Sequence, residues 1–313
     1  LKIKLKGSMD MEYVIETKNL TKKYGSSTVV DNINLHVPKG KIYGLLGRNG
    51  AGKTTTMKMM LKLIKVTKGN INLFGEDFRN NNLYKKIGSI IETPGFYQNL
   101  TARDNLNILA KLHGNISKKE VQEALEVVGL HTEEKKNFSN FSLGMKQRLG
   151  IAAAIMHNPE LLILDEPING LDPIGISEIR SFLLRLSHEK GVTIFISSHV
   201  LSEIEQIADV IGVMINGKLV EEVNILELQD KLKRYIEITV SDTKLAEKVL
   251  KYNFSIKNYS IIDNTIYIYD STKSISDINR SLVQNDISVT KLNPCKETLE
   301  AYFENLIGGG GIA

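Results

Sequence analysis

The chain has 313 residues, 42% of them hydrophobic and 24% charged, and 40 lysines and arginines against 36 acids leave a formal net charge of +4. That mild, dispersed balance argues against a nucleic-acid partner, and the length admits one large domain and one small one. A single cysteine, Cys295, excludes an intrachain disulfide and fits a reducing cytoplasm; no uncharged apolar run reaches the ~18 residues that span a bilayer, so any crossing belongs to another chain.

Residues 1–10 alternate lysine with apolar side chains and read as a tag or other non-native start, while the glycine-rich 308–313 is expected to be a flexible tail. Between them, residues 13–17 and 33–37 alternate in period two and are predicted to be half-buried strands. Pro38-Lys39-Gly40 then turns the chain into an apolar strand, Ile42–Leu46.

That strand runs into Gly47-Arg-Asn49-Gly50-Ala-Gly52-Lys53-Thr54-Thr55, which fits G-x-x-x-x-G-K-[ST]. Such a loop binds phosphate. Its glycines let backbone N–H groups curl around an anion, and the helix predicted over 53–64 turns its positive end toward the same charge. Lys53 is expected to reach the β- and γ-phosphates of a nucleotide, and the Thr54 hydroxyl to hold Mg²⁺.

Farther on, 71–74 reads as a strand and 106–156 as mostly helical, with Ser117-Lys-Lys-Glu120 forming a capping box. Buried strands at 161–164 and 193–197 alternate with helices at 176–186 and 202–207, which implies a parallel sheet covered on both faces. Asn216-Gly217 is a hairpin signal between 210–215 and 218–223. The fold class is therefore α/β, of P-loop NTPase type. Past Arg234 the texture changes, and the order β-α-β-β-α-β over 235–291 predicts a small α+β, ferredoxin-like domain, closed by a helix at 298–306.

Asp165 and Glu166 follow the apolar run 161–164, at the strand end where ligands sit in such sheets. Asp165 is placed to hold Mg²⁺ through water, and Glu166 to polarise the water that attacks the γ-phosphate. Phe141-Ser142-Leu143-Gly144-Met145-Lys146-Gln147-Arg148-Leu149-Gly150 resembles the signature peptide of ATP-binding-cassette ATPases, in the S-x-G-x-K-Q-R form common among drug- and peptide-antibiotic exporters. The resemblance covers residues 13–223 and implies a nucleotide-binding domain over 11–228, with a RecA-like core, an antiparallel β subdomain and a helical subdomain. The accessory domain would occupy 229–307.

It further implies that two copies close around ATP, with Ser142 and Gly144 of one binding the γ-phosphate held by the other. Tyr24 resembles the aromatic that stacks on adenine, Asp172 lies in a stretch resembling the loop that links the two sites, and His199 resembles the histidine that touches the γ-phosphate. Where most relatives carry a glutamine reaching Mg²⁺ and the attacking water, this chain has Glu92, as in exporters of the bacitracin-resistance and lantibiotic-immunity type. The implied function is the ATP-hydrolysing subunit of an exporter of a peptide antibiotic, on the inner face of the cell membrane beside a separate permease. The competing reading is a soluble ATP switch acting on a macromolecular complex. It is opposed by the single signature peptide and the lack of heptads, and a kinase or GTPase by the lack of an N-K-x-D motif.

Overall fold

A computed structural model describes residues 12–92, 95–114, 116–270 and 274–307. The expected non-native start and flexible tail lie outside the described residues. The chain divides into two compact units, one ending at Leu226 and the other beginning at Glu227.

The first unit is built on a six-stranded sheet ordered Lys218–Asn224, Val210–Ile215, Ile42–Leu46, Thr193–Ser198, Leu161–Asp165, Ile87–Ile90. Its last five strands run parallel, and the first closes the edge as the antiparallel arm of the Asn216-Gly217 hairpin. Every residue of Ile42–Leu46 and of Thr193–Ser198 is buried, which explains the apolar run of the first and the apolar stretch 194–196 of the second. Register then brings three strand ends to one level: Leu46 lies opposite Ser198, and Asp165 opposite Ser197. The site is assembled at this edge.

A second, antiparallel sheet contains Tyr13–Tyr24, Ser27–Ile33, His36–Pro38, Lys68–Leu73 and Glu76–Asp77. Here the period-two reading was too short. Asn19 takes a positive φ of 51° and the pairing with Ser27–Ile33 slips between Leu20 and Lys22, so the first strand continues through an irregularity that breaks the alternation. The strand expected over 33–37 is instead divided, one strand ending at Ile33 and another starting at His36. Likewise the helix Lys53–Met60 stops short of residue 64, and Lys62 follows at φ 58°.

Helices Ala102–His113, Lys118–Val127 and Leu143–Ile155 form the helical part, and Ser117 and Glu120 complete the predicted capping box. Leu143–Ile155 packs on the strand Ile87–Ile90 through Gly88, where a Cβ would lie 1.9 Å from the Ala154 carbonyl oxygen.

A partly buried acid joins the two sheets. Glu222 accepts from the His36 backbone N–H and from the Tyr43 hydroxyl, each at 2.8 Å, and its other oxygen lies 2.8 Å from His36 Nδ1. The hydrogen bond to Glu222, outweighing desolvation, raises the His36 pKa above its ordinary 6.5. The protonated pair therefore contributes its full stability below that value and loses it as pH rises through the higher folded pKa. Thermal unfolding should show the wild type most stabilised relative to His36→Gln at low pH, with the gap narrowing as pH rises; a constant gap contradicts the pairing.

The second unit holds a four-stranded antiparallel sheet ordered Tyr259–Ile262, Thr265–Ile268, Arg234–Val240, Val289–Lys296. Helices Thr243–Phe254 and Ile275–Gln284 supply Ala246, Leu250, Ile278 and Leu282 to a core with Ile238 and Ile266 of the strands. It is an α+β unit with its own apolar core. A helix the sequence reading missed, Ile225–Lys231, starts where Asn224 Oδ1 accepts from the Leu226 N–H at 2.9 Å.

Candidate active site

The phosphate loop leaves Leu46 and closes on Gly52, whose φ of 105° suits glycine and whose Cβ would lie 2.8 Å from the Val29 carbonyl oxygen. The helix Lys53–Met60 starts there, so its first N–H groups, which have no partner within the helix, face the loop. Gly47 is buried and donates its N–H to Ser198 O at 3.3 Å. Asn49 and Gly50 form the exposed rim, and Thr55 is half-buried on the helix. Lys53 is only 4% exposed. Its Nζ donates to Gly47 O at 2.6 Å and Arg48 O at 3.3 Å, and lies 3.2 Å from Glu166 Oε1. Its buried charge is thus compensated on three sides.

Thr54 Oγ1 donates to Asp165 Oδ2 at 2.7 Å, and Ser197 Oγ donates to Asp165 Oδ1 at 2.6 Å. The same Ser197 oxygen accepts from the Glu166 N–H at 3.0 Å. Glu166 sits at φ 46°, a left-handed conformation that costs a non-glycine residue ~1–3 kcal/mol and persists only where surroundings enforce it. Its Oε2 lies 3.0 Å from His199 Nδ1 and accepts from Asn169 Nδ2 at 3.2 Å. Lys53, Thr54, Asp165, Glu166 and His199 are therefore one connected cluster.

The donor set fits a magnesium–nucleotide complex. Thr54 and Asp165 offer a hydroxyl and a carboxylate, hard oxygens suited to Mg²⁺, which usually keeps several waters and takes other ligands from phosphates. Among the described residues no group of three or more His, Cys, Asp and Glu forms a cage of its own.

Other predicted residues stand apart from this cluster. Asp172 caps the helix Pro173–His188, accepting from the Gly175 N–H at 3.1 Å. Ser142 caps Leu143–Ile155 and accepts from the Met145 N–H at 3.3 Å; it is exposed, and a Cβ on Gly144 would lie 3.5 Å from Leu171. Among the described residues neither hydrogen bonds to the phosphate loop of its own chain. Tyr24 ends its strand half-exposed, with Lys22 Nζ 4.6 Å above its ring; its hairpin partner strand carries Val29, the residue that abuts Gly52. Glu92, at φ 62°, is not brought to Thr54 or Asp165. Its carboxylate pairs with Lys58 Nζ at 2.5 Å, on the helix that follows the phosphate loop.

Residues 30–169 match the family model described as ABC transporter. Over 307 residues, 97% of this chain and 100% of the relative, the sequence is 66% identical to a bacitracin transport ATP-binding protein, BcrA, of Enterococcus faecalis. The chain belongs to the ABC transporter family. This ABC chain is also 47% identical to a lantibiotic transport ATP-binding protein, SrtF, of Streptococcus pyogenes, over 67% of its own length and 90% of that relative. A solved dimeric ATP-binding cassette in a post-hydrolysis state with ADP and Pi is 25% identical, with a TM-score of 0.61 over 67% of this chain and 98% of the other. The fold, the family and the ATPase class implied by the signature peptide are thus the ones found. No helix among the described residues is long and apolar enough to cross a membrane.

Sequence reasoning missed Ser197 and Asn169 as partners of the ABC chain's acidic pair. Ser197 had one visible signal, as one of two serines that end a buried strand directly after its apolar stretch 194–196.

Proposed function

We propose that this chain hydrolyses ATP to power removal of a bacitracin- or lantibiotic-like peptide antibiotic through a separate membrane permease, at the inner face of the cell membrane. The observation that carries the cargo assignment is the 66% identity along the whole length of a bacitracin transport ATP-binding protein. The connected cluster of Lys53, Glu166 and His199 supports the chemistry.

Hydrolysis of a γ-phosphate asks the protein mainly for positioning and charge stabilisation. Lys53 and the N–H groups of Asn49, Gly50, Gly52, Thr54 and Thr55 surround the phosphates, and Gly47, whose own N–H is held by Ser198 O, opens the loop. Mg²⁺, held through Thr54 and by way of Asp165, neutralises phosphate charge when bound. Glu166 accepts the proton of the attacking water, and His199, 3.0 Å from it, faces the γ-phosphate. Tyr24 stacks on the adenine.

A second copy completes the site: Ser142 and Gly144 lie at a helix N-terminus, where backbone N–H groups favour an anion, yet they do not bond to their own phosphate loop. Asp172 lies between the two sites of that dimer. Glu92, now paired with Lys58, would approach the metal and couple nucleotide state to the permease. The C-terminal unit is an accessory domain.

Purifying tagged Glu166→Gln protein from its host's detergent-solubilised membranes with ATP and Mg²⁺ tests this reading. Mass spectrometry should find a polytopic membrane protein; ribosomal or DNA-maintenance proteins with no membrane protein would refute it.

A further inference from the structure

We infer that Ser197 is a positioning residue that sets the geometry of both acids at once. This rests on the assignment of Asp165 to the magnesium side and Glu166 to the attacking water.

Ser197 is fully buried, so its hydroxyl has no water to satisfy it. Both of its hydrogen-bonding directions are used. The proton goes to Asp165 Oδ1 at 2.6 Å, and a lone pair receives the Glu166 N–H at 3.0 Å. A short O–H···O bond to a carboxylate is among the stronger neutral-to-charged contacts.

The first contact fixes the rotation of the Asp165 carboxylate. With Oδ1 bound to Ser197, Oδ2 is left to face Thr54, which it meets at 2.7 Å. The second contact bears on Glu166, whose backbone φ of 46° is unfavourable for a side-chain-bearing residue. A buried acceptor aimed at its N–H is one of the forces that keep it there, and that backbone turn aims the Glu166 carboxylate at Lys53 and His199.

Register explains why this residue can do both. Ser197 lies directly opposite Asp165 in the parallel pair, and His199 follows two residues later as the chain leaves the strand. One strand end therefore carries the hydroxyl clamp and the histidine together. Ser198, next along, braces the turn instead, since its Oγ accepts from the Val200 N–H at 2.9 Å and donates to Glu203 at 3.0 Å.

The test compares Ser197→Ala and Ser197→Thr in the full chain, using Mn²⁺ as the metal and AMP-PNP as the nucleotide. Bound Mn²⁺ is read by electron paramagnetic resonance, alongside ATP turnover, AMP-PNP affinity without metal, and thermal unfolding. Loss of a partner that orients a metal-side carboxylate weakens metal binding or activity ~10–100-fold, so Ser197→Ala should weaken Mn²⁺ binding and lower kcat by at least the smaller factor. AMP-PNP affinity without metal should hold, and Ser197→Thr, which keeps the hydroxyl, should restore both readouts. Unchanged Mn²⁺ binding and kcat in Ser197→Ala would overturn the inference, as would equal losses in both variants tracking a lowered unfolding temperature. Those results leave the ATPase reading intact. Failure of the wild type to bind AMP-PNP would overturn both.

Discussion

Glu166→Gln is expected to lower steady-state ATP turnover by about 10²–10⁴-fold, the range for loss of a general base, while ATP still binds. The amide keeps the shape of the side chain and an oxygen that can accept from Lys53, now 3.2 Å from Glu166 Oε1, so the phosphate loop keeps its form. What is lost is the ability to take a proton from water and the negative charge facing His199. Binding energy from Lys53 and the helix N-terminus is left in place. ATP should therefore accumulate uncleaved, and size-exclusion chromatography with ATP should show a dimer that the wild type does not retain. Phosphate release at the wild-type rate would remove Glu166 from the mechanism.

The second large effect falls on stability, at Gly88→Ala. A Cβ there would sit 1.9 Å from the Ala154 carbonyl oxygen, 2.9 Å from its carbon and 2.7 Å from a Leu162 methyl. A side-chain clash can be relieved by rotation, but here two of the three neighbours are backbone. The helix Leu143–Ile155 must move off the strand Ile87–Ile90, opening a packed interface. Overpacking of this kind costs about 3 kcal/mol, and for a unit of this size each kcal/mol lowers Tm by roughly 2–4 °C. The same helix carries Ser142 and Gly144 at its start, so its displacement should also weaken ATP-dependent dimerisation. Thermal unfolding of Gly88→Ala within a degree of the wild type would show that the interface yields more easily than its geometry suggests.

Much of the site was legible because its chemistry lies in contiguous runs. The phosphate loop, Asp165-Glu166 and His199 each follow an apolar strand, and a parallel sheet brings such strand ends to one edge. Ser197 was not legible in the same way: its partner Asp165 is 32 residues away, and only the strand register places them opposite each other. Glu92, expected near the metal from its place along the chain, pairs with the neighbouring cation Lys58 in the structure, a contact that its position in the sequence does not reveal. In the fold, alternation failed where single residues interrupt it. Asn19 at positive φ permits an irregular strand from Tyr13 to Tyr24 that period two does not describe, whereas the fully buried strands announced themselves by their apolar runs.

ATP hydrolysis by this chain is proposed to drive removal of a peptide antibiotic. Its most direct test is the minimum inhibitory concentration of bacitracin for a sensitive host that expresses the chain with the membrane protein it co-purifies with. The wild-type pair is expected to raise that concentration, and the same pair with Glu166→Gln is expected to leave it unchanged. Equal sensitivity of hosts with and without the wild-type pair, or equal resistance from the Glu166→Gln pair, would contradict it.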